Sequence, residues 1–252
     1  AGYGTDQALL LYEKLGVVYE PDVVVLLFYG NDLWNNAARR GIGAERGYKP
    51  FFRPQPNGRL TLGGVPVQKT RYWDEARYGD APFGERLSRY FNEHWHLYVL
   101  LYKALRPEVE TAQQSQYYDG LYGSDEEGKW QPVWQLTGML LDQFAAAVHR
   151  RRGEFLLVYV PAIVQVEEGD WQKKRVLHGL VDEYDLQKPN AQLAAFAQRY
   201  GFAYLDLYSL FKERSQEQVL YWRDSHWNAA GHELAAQALC EQLDKGGLEV
   251  AR

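Results

Sequence analysis

The chain has 252 residues, 46% of them hydrophobic, which suffices for a packed core in one large α/β domain. Its 28 Lys and Arg are interspersed with 33 Asp and Glu, so the net charge is −5 and no basic face is offered to nucleic acid or to an anionic bilayer. The longest apolar run, VVVLLFY, is far short of the roughly 18 to 20 residues of a membrane span, so no integral membrane segment is expected.

Residues 5–15 place Ala8, Leu9, Leu11, Tyr12 and Leu15 at helical spacing, with Thr5 or Asp6 to cap the helix and Gly16 to end it. Residues 23–29 form a continuous apolar run, which predicts a strand buried on both faces of a parallel sheet. Gly30, Asn31 and Asp32 stop it at its carboxyl end, the edge where open α/β sheets bind ligands.

Residues 33–129 read as an insertion. It holds PQPNGRLTLGGVPV, whose Asn-Gly and Gly-Gly turns predict a hairpin. An aromatic amphipathic helix, ERLSRYFNEHWHLYVLLYKALRP, follows and closes at Pro107. The polar stretch TAQQSQYYDGLYGSDEEGK is expected to be a mobile surface loop.

Beyond it, helical patterning over 130–151 precedes a second apolar strand at 154–161, and a helix over 190–200 precedes a third run, FAYLDLYSLF. A last helix covers 228–243. This alternation predicts one α/β domain over 1–252, with a parallel sheet and helices on both faces. Cys240, the lone cysteine, lies in an apolar helical run and is expected to be a small buried residue.

Chemistry concentrates at two of these edges. Asp224 and His226 lie just before the last helix, with Asn228 placed to cap it. In an extended segment residues two apart point the same way, and a turn would bring the carboxylate to Nδ1 and leave Nε2 for a nucleophile. An isolated D-x-H is more often a helix-capping acid beside a surface histidine, so the flanking residues decide. Trp34, Tyr48, Phe51, Phe52, Tyr72 and Trp73 follow Asn31 and are expected either to overhang such a site or to form a satellite core. No metal or cofactor is indicated: His94 and His96 would stand about 200° apart on a helix, unable to share one ion.

Three stretches, GYGTDQ, YGND and DSHWNAAGH, resemble in matching order three conserved blocks of the SGNH (GDSL-type) hydrolase superfamily. The resemblance implies a flavodoxin-like three-layer sandwich with a large insertion after the strand that ends at Asn31. It makes Gly2 a backbone donor and Asn31 a side-chain donor to an oxyanion, His226 the general base and Asp224 its orienter. Gly4 would permit close approach in the first turn, and Trp34 and Trp227 would border the substrate. The family more often separates Asp and His by two residues. The shorter D-x-H-W found here is similar to branches that act on acylated polysaccharides, including the alginate acetylation proteins.

The family's nucleophile is missing from its place. None of the six serines, Ser88, Ser115, Ser124, Ser209, Ser215 and Ser225, follows Gly-Asp at the end of an apolar strand. The resemblance therefore implies a first strand and its serine upstream of Ala1. The expected activity is a serine esterase cleaving O-acyl, in particular O-acetyl, esters, with carbohydrate esters among the candidate substrates. The alternatives are an O-acyltransferase using the same residues and a carbohydrate-binding or interaction module without catalysis. The resemblance also implies a bacterial exported protein, periplasmic or extracellular. Oligomeric state is left open.

Overall fold

The computed structural model describes residues 3–39, 48–67, 112–180 and 183–244, together with Leu87, Phe91 and Trp95. Helix α1 (Thr5–Lys14) leads through a short 3-10 turn (Gly16–Tyr19) into strand β1 (Val23–Phe28), and helix α2 (Asn31–Ala37) starts at the strand's carboxyl end. Strands β2 (Phe51–Pro54) and β3 (Leu60–Gly63) come next, then helices α3 (Ala112–Tyr122) and α4 (Gln131–His149). Strand β4 (Glu154–Tyr159), helices α5 (Ile163–Val166), α6 (Glu168–His178) and α7 (Lys188–Tyr200), and strand β5 (Ala203–Asp206) lead to helices α8 (Tyr208–Arg214) and α9 (Ala229–Asp244).

The main sheet is parallel, in the order β1-β4-β5. Alternation sends successive side chains to opposite faces. Val24, Leu26 and Phe28 lie opposite Phe155, Leu157 and Tyr159, and this face packs on Leu9, Tyr12, Leu140 and Phe144 of α1 and α4. The other face carries Leu156, Val158, Ala203 and Leu205 and is covered by Phe211, Leu220, Leu234 and Ala235. Each fully buried side chain of this size, such as Phe28, contributes about 1.5–3 kcal/mol. Helices thus cover both faces, the α/β arrangement predicted from the alternation. The cover stops short of β1: Val25 and Leu27 are 38% and 52% exposed, and β1 has no strand on its second edge among the described residues.

The hairpin forms at the Pro-Asn-Gly turn. Strands β2 and β3 pair antiparallel, Gly58 takes φ +75°, and Asn57 accepts the Arg59 N–H at 3.1 Å. Most of the amphipathic helix expected over 85–107 lies outside the described residues, as do Tyr72 and Trp73.

Four expectations need correction. Strand β1, expected to be buried on both faces, is open on the face that carries Val25 and Leu27. The stretch expected to be a mobile loop contains α3, because Tyr118, Leu121 and Tyr122 fall on one helical face and are buried. Gly120 in the same helix leaves room for Trp34 and Trp130, whose rings would lie 2.9 and 3.0 Å from an added Cβ. The third apolar run is a strand only over Ala203–Asp206. Asp206 ends it, its carboxylate accepting the Tyr208 N–H at 2.9 Å and starting α8. Cys240 lies on the outer side of α9 and is exposed. No described helix is long and apolar enough to cross a membrane.

Candidate active site

Two loops lie beyond the carboxyl ends of the strands, the 29–31 turn after β1 and the 219–228 loop tied to the end of β4. The Val160 N–H donates to the Phe28 carbonyl at 2.9 Å, which carries the β1–β4 ladder one step further. The Tyr221 hydroxyl donates to the Pro161 carbonyl at 3.0 Å and ties the 219–228 loop to the end of β4. Burial raises the Tyr221 phenol's pKa, and the Tyr29 phenol adds to the shift.

The 219–228 loop is a closed hairpin. Tyr221 bridges Trp227, the Trp222 N–H donates to the His226 carbonyl at 2.7 Å, and the Asn228 N–H donates to the Leu220 carbonyl at 2.9 Å. Asn228 fixes its base, accepting the Gly231 N–H at 3.0 Å as the cap of α9 and donating to the Val219 carbonyl at 2.7 Å. Trp227 turns inward and stacks on Phe211, with centroids 4.8 Å apart, so it serves as the loop's apolar anchor.

Asp224, Ser225 and His226 form the tip. Ser225 adopts φ +71°, so a left-handed turn rather than an extended segment brings the carboxylate back to the histidine. Asp224 Oδ1 accepts the His226 backbone N–H at 3.2 Å, and Oδ2 stands 3.3 Å from Nδ1. The His226 backbone N–H holds the Asp224 carboxyl below its ordinary value, and the imidazole adds to this. The pair is open to solvent, with side chains 84% exposed for His226 and 68% for Asp224.

The second loop is the turn 29–31. Asn31 opens α2, and its half-buried side chain makes no hydrogen bond among the described residues. Asp32 is buried beside it and accepts the Tyr29 N–H at 2.9 Å. Gly2 lies outside the described residues. Gly4 caps α1 in an extended conformation, and an added Cβ would come 2.7 Å from Asn35 Cβ and 2.8 Å from Asn36 Oδ1. The start of α1 is thereby seated on α2.

A buried polar group locks this seat and was invisible in the sequence. Asn36 accepts the Asp6 N–H at 3.2 Å and donates to Thr5 and Thr137 at 3.3 and 3.1 Å. Asp6 in turn forms a buried ion pair with Lys49, just before β2. Only the run of three asparagines in α2, at 31, 35 and 36, hints at it. Trp34, on the same helix, packs edge-on against Trp130 at 4.6 Å and stacks with Tyr117 at 6.3 Å. No group of three metal-ligating side chains occurs among the described residues.

A protein-family model described as the SGNH hydrolase-like domain of the acetyltransferase AlgX matches residues 123–251, just over half of the chain. The match spans β4, β5 and the Asp224–His226 loop. No curated protein and no solved structure matches.

Proposed function

Since the chain belongs to the SGNH hydrolase-like family of the acetyltransferase AlgX, we propose that it moves acyl groups of O-acyl esters at the carboxyl edge of its sheet. His226 is the base and Asp224 its orienter, while Asn31 and Gly2 donate to the oxyanion. The observation that carries this reading is the Asp224–His226 pair, set by a closed hairpin with Nδ1 turned to the carboxylate.

In this scheme a serine Oγ attacks the ester carbonyl and passes its proton to His226 Nε2. The carbonyl oxygen becomes an oxyanion held by the Asn31 amide and the Gly2 N–H, neither of which carries a titrating charge. Collapse breaks the bond to the alcohol, which leaves with the proton from His226. A second hydroxyl, from water or from an acceptor, then repeats these steps and frees the acyl group.

The serine is proposed to come from a strand running parallel to β1 along its second edge. An edge of β1 that is unpaired among the described residues, and the exposed Val25 and Leu27, favour that position, since an apolar strand left open at a sheet edge pairs readily. The test is hydrolysis of p-nitrophenyl acetate by the full-length protein beside His226→Ala. Equal rates would overturn the assignment.

A second reading, O-acyl transfer to a carbohydrate hydroxyl, uses the same residues. The description of the family model favours it, and so does the exposure of His226, which leaves the base within reach of a polymeric acceptor. Mass-spectrometric detection of acetyl transfer to an oligosaccharide separates it from hydrolysis. Release of free acetate alone would refute it.

A further inference from the structure

The turn that carries Asn31 is held by a side chain with no part in the proton transfers. Asp32 is 6% exposed. Its Oδ2 accepts the Tyr29 backbone N–H at 2.9 Å, and its own N–H donates to the Tyr29 carbonyl at 2.8 Å. Two reciprocal bonds therefore close residues 29–32 into one ring. From behind, α3 braces the turn. An added Cβ on Gly30 would come within 2.6 Å of both Tyr117 Oη and Leu121 Cδ2, so a larger residue there would have to push these side-chain ends aside.

The choice of residue is informative. An asparagine oxygen would accept the same N–H without placing a charge in the interior. Burial pushes Asp32 up to about 7, the nearby Asp6 adding to it, so the ionised group is held at a cost to stability. Asn31 has no side-chain bond among the described residues, so its direction is set by the backbone that Asp32 clamps.

We propose that Asp32 is a positioning residue that clamps the Tyr29–Asn31 turn and so presents the Asn31 amide, already oriented, to the developing oxyanion. The proposal rests on the reading of Asn31 as an oxyanion donor. Its physical ground is that such a donor lowers the barrier most when it needs no reorganisation as charge develops.

The experiment uses the full-length, 15N-labelled protein. In Asp32→Ala, amide exchange at Tyr29 should speed up by about tenfold or more, and the Asn31 backbone amide signal should move towards its random-coil position. Asp32→Asn, which keeps an acceptor, should restore both. Unchanged Tyr29 and Asn31 signals in Asp32→Ala would overturn the clamp. If Asp32→Ala does not fold, Asp32→Val, similar in volume and without an acceptor, is read in the same way.

Kinetics separate the two layers. Asn31→Ala should lower kcat by about 100-fold. Asp32→Ala should lower it by about tenfold at nearly constant KM, and the double variant should be no slower than Asn31→Ala alone. An Asn31→Ala variant with unchanged kcat would overturn the oxyanion reading. Losses that multiply in the double variant would overturn the clamp and leave that reading standing.

Discussion

Replacing Asp32 by Asn should stabilise the protein above neutral pH, although it weakens a hydrogen bond. Burial raises the carboxyl from its ordinary 3.8 to about 7. At about 1.4 kcal/mol per unit, ionised Asp32 costs up to about 4 kcal/mol relative to the unfolded chain. The folded state binds its proton more tightly than the unfolded state. Stability from this group is therefore full below pH 4 and is lost as pH rises towards and through 7. Asparagine removes that slope and keeps an acceptor for the Tyr29 N–H, but its NH2 needs a partner, which takes back about 1–3 kcal/mol. Urea unfolding of the wild type and Asp32→Asn at pH 4, 6 and 8 measures the difference. It should favour the wild type by about 1–3 kcal/mol at pH 4 and the variant by about 1–3 kcal/mol at pH 8. A difference that stays flat with pH, or favours the wild type more strongly as pH rises, would refute the reasoning.

Lys49→Met leaves the Asp6 carboxylate buried without its cation, and should cost about 3–5 kcal/mol at pH 8. The loss should shrink towards pH 4 as Asp6, whose pKa burial already raises, takes up a proton; denaturant unfolding at both pH values measures it. Asn228→Ala removes the cap of α9 and the bond to the Val219 carbonyl, and should lower Tm by about 3–6 °C in a thermal scan. Asp224→Asn should leave the urea midpoint unchanged, because the side chain is exposed, yet lower kcat by about 10²–10⁴ in the acetate assay.

Features set by nearby residues were legible in the sequence. The apolar run at β1, the Pro-Asn-Gly turn of the hairpin and the Asn228 cap each arise from a few adjacent side chains, and each appears where expected. The Asp224–His226 pair was legible for the same reason, since one left-handed residue is enough to join them. Helix α3 was not, because its polar opening suits a loop and its aromatic face gains meaning only against Trp34, Trp130 and Trp171. The Asp6–Lys49 pair joins residues far apart in the chain, and no local pattern announces it. Asp206 ends β5 by bonding to Tyr208 and Asn190, a choice that hydrophobic periodicity does not see.

The central claim is that His226, oriented by Asp224, activates a serine. Labelling the full-length protein with a fluorophosphonate and locating the adduct by mass spectrometry tests this most directly. The account predicts one covalent adduct on a serine, formed quickly in the wild type and slowed at least about 100-fold in His226→Ala. No adduct, or one that forms equally fast without His226, would contradict it.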